Sequence, residues 1–429
     1  MIINATREFE LLKKLGFERQ AGTDMELKAA HMIEDEIKSA GSTAIIEPFE
    51  ITDAVIEKAE LEVLEPYNKK YTVTAYKRCL NTDDNGLIAD FVYIEDMLDV
   101  SLADVKDKIV LVNGYMRLAS YRKLIKAGVA GFISMTGSLL DTQEDSDLFT
   151  RKIRETMDDI GFIPAVNIRI SDAFELVAQK ASKVRMTVKN EKVNRTSHNV
   201  IAEIKGTKYP DEIISFGAHY DSVEFSTGVY DNGAGSVINL EIFRHFLANP
   251  PKRTLKFMWY GSEEIGLLGS KAYVEMHEKE LEKHILMINV DVAGPVIGSE
   301  SLVMIADNSF VNFADAYMRI KGHPVKVRQD TYSSDCIPFA NCGIPAINFM
   351  RFGPQGAAFI HCRNDVIEYL SQDALERTTI YTLDFCENII NSVAFPLERK
   401  IPKEMVEAVD KYLSKSLIEE IKKENEKIN

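Results

Sequence analysis

The second half of this sequence alternates nearly continuous apolar segments with amphipathic ones. "EIISFGAHYDS" precedes the helical pattern of "GAGSVINLEIFRHFLANPP", and "RTLKFMWYGSEE" precedes a second helical pattern near "LGSKAYVEMHEKEL". "HILMINVDVAG" and "GIPAINFM" add two further apolar segments. Apolar strands that alternate with amphipathic helices are typical of a parallel sheet covered on both sides. We therefore predict an α/β fold with a mixed, mostly parallel sheet flanked by helices on both faces.

The stretch between residues 52 and 190 has a different character. Its short β-type segments include "KYTVTAYK", "KDKIVLVNG" and "AGFISM", a single helix is predicted at "SYRKLIKAGVAG", and it contains no histidine. The chain has 429 residues, which is too long for one ordinary core. We predict a catalytic domain formed by residues 1–51 and 191–429, interrupted by a mainly β insert at 52–190. The C-terminal "PKEMVEAVDKYLSKSLIEEIKKENEKIN" is predicted to be an amphipathic helix of the catalytic domain.

Composition excludes several classes of partner. The formal net charge is −15, whereas binding to a phosphate backbone needs a basic face, so no nucleic-acid partner is expected. No apolar run reaches about 18 residues, so no membrane span is expected. The N-terminal residues lack the apolar core of a signal peptide, which predicts a cytoplasmic protein whose five cysteines are free thiols.

Polar side chains with metal-binding chemistry follow the predicted strands. They are His219 and Asp221 after "IISFGA", Asp231 in the next loop, Glu263 and Glu264 after "LKFMWYGS", Asp291 after "LMINV", and His361 beyond "PAINFM". In a parallel α/β sheet, ligands bind beyond the carboxyl ends of the strands. Five carboxylates at one edge repel one another unless cations hold them. The sequence therefore predicts a metal site at this edge.

Five of these residues suffice for two zinc ions. Zinc binds imidazole nitrogen and carboxylate oxygen. Paired metals, roughly 3.5–4 Å apart, share a bridging carboxylate. We predict that His219 binds one metal with Glu264 or Asp291, that His361 binds the second metal with the other carboxylate, and that Asp231 bridges. The residues alone leave both pairings open.

Glu263 and Asp221 remain outside this set of ligands. Adjacent side chains diverge, so Glu264 can face a metal while Glu263 faces the attacking water as its base. His219 and Asp221 are two residues apart and project to the same side of an extended segment. We predict that Asp221 accepts the second ring N–H of His219 and fixes its tautomer.

Each feature has a simpler interpretation when it is taken alone. "HYD" is commonly a surface turn, and "SEE" also matches a helix N-cap with acidic residues in the first turn. The other six histidines lie in helical, helix-flanking or turn segments and are interpreted as structural. No HExxH, Walker A or GxSxG motif is present. The metal interpretation is preferred because the residues occur together, at successive strand ends.

In this order, the motifs resemble a known family. "GAHYDSV", "DNGAGS", "GSEEIGLLGS", "NVDVAG", "SSDCIPFANCGIPAI" and "HCRND" are similar to blocks of the two-zinc aminopeptidases of metallopeptidase family twenty-eight. That family also includes glutamate carboxypeptidase II, the transferrin receptor and glutaminyl cyclase. The resemblance covers roughly residues 15–50 and 195–395, and the insert more loosely resembles a protease-associated domain.

The resemblance implies two Zn²⁺ ions per chain, an aminopeptidase activity and peptide substrates. It implies that Asp231 bridges the metals, that Glu263 is the catalytic base and that Asp221 orients a ligand; the implied ligands are His219, Asp231, Glu264, Asp291 and His361. The chain departs from the family at Cys336, where a histidine is usual, and at Ile360, where some relatives have an oxyanion-stabilising tyrosine. We assign the latter role to Tyr332 instead.

Three alternatives stay open. A carboxypeptidase needs an arginine for the terminal carboxylate of its substrate, and Arg328, Arg351 and Arg363 lie in the appropriate region. A glutaminyl-cyclase-like acyl transferase uses a single zinc. A binding protein on a silent peptidase fold, as in the transferrin receptor, is the third alternative, although such proteins lose ligands that are all present here. The oligomeric state is not predicted.

Overall fold

The computed structural model describes residues 3–114 and 116–428. The chain divides into two compact units: Met1–Ile51 with Arg195–Leu413, and Thr52–Asn194 with Ser414–Asn429. The first unit contains every residue that the sequence assigns to the metal site.

The strands, numbered in chain order, are β1 (Ile45–Glu65), β2 (Lys69–Tyr71), β3 (Val73–Ala75), β4 (Leu87–Ile94), β5 (Ile109–Val112), β6 (Gly131–Thr136), β7 (Ala165–Arg169), β8 (Lys183–Ile204), β9 (Tyr209–His219), β10 (Arg253–Tyr260), β11 (His284–Val290), β12 (Ser299–Ile305), β13 (Val325–Gln329) and β14 (Ala346–Phe352). The α-helices are α1 (Ala5–Leu15), α2 (Asp24–Ser39), α3 (Leu118–Ala127), α4 (Ile170–Ala178), α5 (Ala234–Ala248), α6 (Leu268–Met276), α7 (Asn308–Lys321), α8 (Cys336–Asn341), α9 (Gln372–Ile390), α10 (Lys403–Tyr412) and α11 (Lys415–Ile428).

The first unit is built on a mixed sheet with the order β13-β12-β14-β11-β9-β10-β8, in which β8 contributes residues 195–204. The central strands β10, β9, β11 and β14 pair in parallel, as do β12 and β13. The β12–β14 and β10–β8 pairs are antiparallel. Because the parallel strands are central, their carboxyl ends all meet at one edge.

Helices cover both faces of this sheet. Helices α1, α2, α5, α7 and α9 pack into one apolar cluster with Phe257 and Trp259 of β10, whereas α6, α8 and α10 pack into another with Met258 and Tyr260. Successive side chains of a strand point to opposite faces, so the two clusters lie on opposite sides of the sheet. The predicted α/β fold with helices on both faces is confirmed.

The second unit has its own sheet and its own core. Strands β4, β5, β6 and β7 are parallel neighbours, β3 pairs antiparallel with β7, and β4 pairs antiparallel with the first residues of β8. Its apolar cluster includes the wholly buried strand β5, together with Tyr121 and Leu124 of α3 and Leu176 of α4.

The C-terminal segment differs from the prediction of one helix in the catalytic domain. It forms two helices, α10 and α11, which are separated at Ser414, a residue with φ +56°. Helix α11 belongs to the second unit, where Ile421 is buried in the apolar cluster and Glu424 pairs with Arg122 at 2.7 Å. Amphipathic periodicity predicted the helices, but it does not specify which core an apolar stripe contacts.

The five cysteines, all within the described residues, are not joined by disulfides. None of the helices in the described residues combines the length and the apolar character needed to cross a membrane.

Candidate metal centre

Strand register brings the predicted residues to one edge of the first unit's sheet. His219, the last residue of β9, pairs with Tyr260, the last residue of β10. Asn289 of β11 pairs with Gly217 of β9, which puts Asp291 level with His219. The turn that carries Glu263 and Glu264, and the loop that carries His361, begin at the same edge, as expected for a parallel sheet.

Asp231 lies between the two imidazoles. Its Oδ1 is 3.1 Å from Nε2 of His219, and its Oδ2 is 3.0 Å from Nε2 of His361. His219 Nε2 is also 3.5 Å from Oδ1 of Asp291, whereas His361 Nε2 is 3.0 Å from Oε2 of Glu264. In the structure His219 lies beside Asp291 and His361 lies beside Glu264, which is the arrangement of one of the two open pairings.

The donor set fits divalent cations. Ligand atoms of His219, Asp231 and Glu264 all lie within 4.8 Å of one another. Oε1 of Glu264 and Oδ1 of Asp291 are buried without a hydrogen-bond partner. Leaving a buried acceptor oxygen without a hydrogen-bond partner costs about 1–3 kcal/mol, and more when the group is charged. A cation that binds these oxygens removes this cost, so the residues present fit zinc.

Electrostatics agree with this assignment. Burial raises the pKa of Glu263 well above its ordinary value, and Glu264 and Asp291 raise it further. Burial also raises the pKa values of Glu264 and Asp291. The Glu264 carboxylate raises the pKa of His361 to about 12. Burial disfavours the charged form of these carboxyl groups, and a bound divalent cation would favour it.

Comparison with known proteins agrees with the geometry. Residues 199–386 match the profile of peptidase family M28. Aminopeptidase YwaD of Bacillus subtilis (strain 168) is 30% identical over 377 residues, which are 84% of this chain and 78% of that protein. The chain belongs to peptidase family M28. The family prediction is thus confirmed.

Other relatives of this M28 peptidase differ in activity and in coverage. Carboxypeptidase Q of Mus musculus is 26% identical over 246 residues, and the chain spans only 52% of it. The structure of a zinc aminopeptidase from Bacillus subtilis superposes with a TM-score of 0.75 at 24% identity, covering 94% of this chain and 99% of that one. A peptidase M28 precursor from Shewanella amazonensis SB2B gives a TM-score of 0.74 at 25% identity, over 93% and 95% of the two chains.

The two imidazoles of the M28 site differ in their exposure to solvent. The side chain of His361 is 52% exposed, whereas that of His219 is 1% exposed. The cluster therefore opens to solvent on the His361 side. Ile360, which precedes His361, is 40% exposed beside this opening.

Asp221 makes its shortest contacts with the turn that carries the paired glutamates. Its Oδ1 accepts the backbone N–H of Glu263 at 3.0 Å, and its Oδ2 accepts that of Glu264 at 3.3 Å. Nδ1 of His219, the predicted partner, lies 3.4 Å from Oδ1 of Asp221. Asp221 therefore holds the turn in addition to facing the imidazole.

Asp365 is a supporting residue that the sequence reasoning missed. Its carboxylate accepts the backbone N–H groups of Tyr230 at 2.7 Å and of Asp231 at 3.0 Å. It therefore fixes the backbone of the predicted bridging residue. Its position four residues after His361, within "HCRND", was the available signal.

Asn232 was also missed. Its Nδ2 donates to the carbonyl oxygen of Val290 at 2.8 Å, and its Oδ1 accepts the N–H groups of Gly235 at 2.9 Å and of Val292 at 3.2 Å. These bonds join the loop that contains Asp231 to the end of β11, which Asp291 directly follows. Its position directly after Asp231, within "DNGAGS", was the available signal.

Tyr332 is half-buried, with its ring edge-to-face against Phe352 at 5.7 Å between centroids. Burial raises the pKa of its phenol, and Asp291 and Asp231 raise it further. The hydroxyl is therefore protonated at neutral pH. Cys336, where the family usually has histidine, is buried and its thiol donates to the Ile347 carbonyl at 3.5 Å, within the core.

Arg351, one of three arginines considered for a substrate carboxylate, is part of the core. It donates to the carbonyl oxygens of Pro295 at 2.9 Å and Val296 at 3.3 Å, and its Nη1 is 3.2 Å from Glu300 Oε1. Arg328 lies on β13, and Arg363 lies in the loop between His361 and Asp365. The Arg351 guanidinium is thus engaged by groups of the core.

Proposed function

We propose that this M28 peptidase is an aminopeptidase that releases N-terminal residues from peptides with two zinc ions. His219 and Asp291 would hold one zinc, and His361 and Glu264 would hold the other, with Asp231 between them. The observation that carries the proposal is the position of Asp231, which contacts both imidazoles through different oxygens. The relative YwaD, named an aminopeptidase, supports the same activity.

When bound, zinc ions in such a pair act as Lewis acids that acidify water and polarise the scissile carbonyl. Glu263 has no place among the ligands, and its Oε2 lies 3.9 Å from Nε2 of His219. We assign Glu263 as the base that takes a proton from the attacking water and passes it to the leaving amine. Asp221 orients Glu263 through the backbone. The protonated Tyr332 hydroxyl donates to the substrate oxygen that gains negative charge.

The negative charge of the side chains at this site favours binding of the N-terminal end of a peptide. A free α-amine is cationic and suits a site that is lined by the carboxylates of Glu263, Glu264 and Asp291. A substrate carboxylate would be repelled by the same groups unless a free arginine faced it. Arg351 has its guanidinium bonded within the core and does not meet this need.

Carboxypeptidase activity remains the second candidate, because carboxypeptidase Q is among the relatives. A panel of short peptides separates the two: one with both ends free, one with an acetylated N-terminus and one with an amidated C-terminus. We expect cleavage of the free and amidated peptides, with release of the first residue, and no cleavage of the acetylated peptide. Cleavage of the acetylated peptide from its C-terminus would replace our proposal with the carboxypeptidase.

Metal analysis separates the remaining alternatives. Purified protein saturated with zinc and dialysed should contain two zinc ions per chain by elemental mass spectrometry. One zinc per chain favours a glutaminyl-cyclase-like transferase, and none favours a silent binding protein. The matched control is the His361→Ala variant, which removes the more exposed ligand and should lose one of the two ions.

A further inference from the structure

The turn that carries the proposed base has an unusual backbone. Ser262, immediately before Glu263, has φ +59°, a left-handed conformation that non-glycine residues rarely adopt. Such a conformation persists only where surrounding contacts determine it. Asp221 supplies two of these contacts from the side of the metal site.

A second carboxyl group, that of Glu26, is linked to the same turn through two serine hydroxyls. Ser262 Oγ donates to Ser197 Oγ at 2.7 Å, and Ser197 Oγ donates to Glu26 Oε1 at 2.6 Å. Glu26 Oε2 accepts the backbone N–H of Gly22 at 2.9 Å. The side chains of Glu26, Ser197 and Ser262 are fully buried, so water does not compete for these bonds.

The turn also lies directly against this network. A Cβ atom on Gly261 would lie 2.5 Å from Glu26 Oε1, 2.6 Å from the His198 carbonyl oxygen and 2.7 Å from Ser197 Oγ. Contacts this short do not occur, so only glycine fits at position 261 while Glu26 keeps its place. The position of Glu26 and the path of the turn are therefore coupled.

We propose that Glu26 is a positioning residue for Glu263 and Glu264. It acts through Ser197 and Ser262 and touches neither substrate nor metal. This inference rests on the proposed function for its kinetic consequence, because Glu263 is the base only if the chain is a peptidase of this type. The structural consequence, the placement of Glu264 toward zinc, does not depend on the substrate.

The test compares Glu26→Ala with Glu26→Gln. Glu26→Ala should lower kcat about 10- to 100-fold while KM for an aminoacyl anilide changes little, because a shift of the base misaligns proton transfer without altering substrate contacts. Glu26→Gln should recover most of kcat, because its amide oxygen still accepts the Ser197 hydroxyl. Zinc affinity, measured by chelator competition, should fall about 10-fold in Glu26→Ala, a loss typical of residues that support metal ligands.

Glu8 offers a matched control. It is equally buried, on α1, and accepts the hydroxyl of Thr379 at 2.6 Å rather than contacting the turn. Glu8→Ala should lose stability but keep kcat per folded molecule and zinc affinity. If Glu26→Ala behaves like Glu8→Ala in both measurements, the proposal is overturned. If Glu26→Ala does not fold, the Ser262→Ala variant decides. Its kcat and its zinc affinity should both fall, and wild-type values of both would overturn the proposal.

The zinc titration keeps the two proposals distinguishable. If the wild-type protein cleaves no aminoacyl substrate, the proposed function fails, and zinc affinity in Glu26→Ala, Glu26→Gln and Glu8→Ala alone decides whether Glu26 positions the turn. If the wild-type protein is active and Glu26→Ala matches it in kcat and zinc affinity, the positioning role fails by itself.

Discussion

One carboxylate oxygen of Asp221 lies 3.0 Å from the backbone nitrogen of Glu263. The other oxygen accepts the N–H of Glu264, so one fully buried side chain holds two consecutive residues of the site. In Asp221→Asn, an NH₂ group replaces one acceptor and faces a backbone donor. We expect kcat to fall about 10- to 100-fold, as for other residues that support metal ligands. Steady-state kinetics on zinc-saturated protein measure this, and unchanged kcat would contradict the role.

Glu263→Gln tests the base directly. The amide keeps the shape of the side chain but cannot take a proton, so kcat should fall about 10²- to 10⁴-fold. Zinc content should stay at the wild-type value, because Glu263 is not a proposed ligand. Glu278→Gln, at an exposed position beyond α6, is the matched control and should keep wild-type kcat. Retained turnover in Glu263→Gln would remove this residue from the base role.

Arg351→Met tests whether that arginine serves the fold alone. The substitution leaves Glu300 buried without its cationic partner, so the free energy of unfolding should fall by about 3–5 kcal/mol in urea titrations. The double variant with Glu300→Gln should recover part of this loss. Selectivity between acetylated and amidated peptides should not change. Altered selectivity would return Arg351 to the substrate site.

Glu8 predicts a pH dependence of stability. Burial raises its pKa to about 8 from an ordinary 4.5; Glu241 and Glu376 raise it as well, whereas Thr379 and Arg7 lower it. Below pH 4.5 the residue is protonated in both states. Between pH 4.5 and 8 the unfolded chain releases the proton while the folded chain keeps it. The contribution of Glu8 to the free energy of unfolding therefore decreases as the pH rises through this range.

Glu8→Gln stays neutral throughout and serves as the reference. We expect the free energy of unfolding of the wild-type protein, relative to Glu8→Gln, to decrease by on the order of a few kcal/mol between pH 5 and 8. Urea titrations at both pH values, with a chelator present to remove metal effects, measure the difference. Parallel behaviour of the two proteins would contradict the raised pKa.

Residues that act through their own side-chain chemistry could be predicted from the sequence. His219, Asp291 and His361 are imidazoles and carboxylates placed just beyond apolar strands, and parallel topology alone brings such residues to one edge. Supporting residues were less accessible. Glu26 resembles any acidic residue in the first turn of a helix, and its partners lie 171 residues away at Ser197 and beyond.

The pairing of ligands was decided only by the tertiary structure. The sequence by itself determined the α/β class and the candidate metal-binding side chains, because periodicity and chemistry are local properties of the chain. It did not determine that His219 lies with Asp291 and His361 with Glu264, nor that α11 joins the second unit. Those outcomes depend on strand register and on which core buries an apolar stripe, and both are set by contacts between segments far apart in the chain.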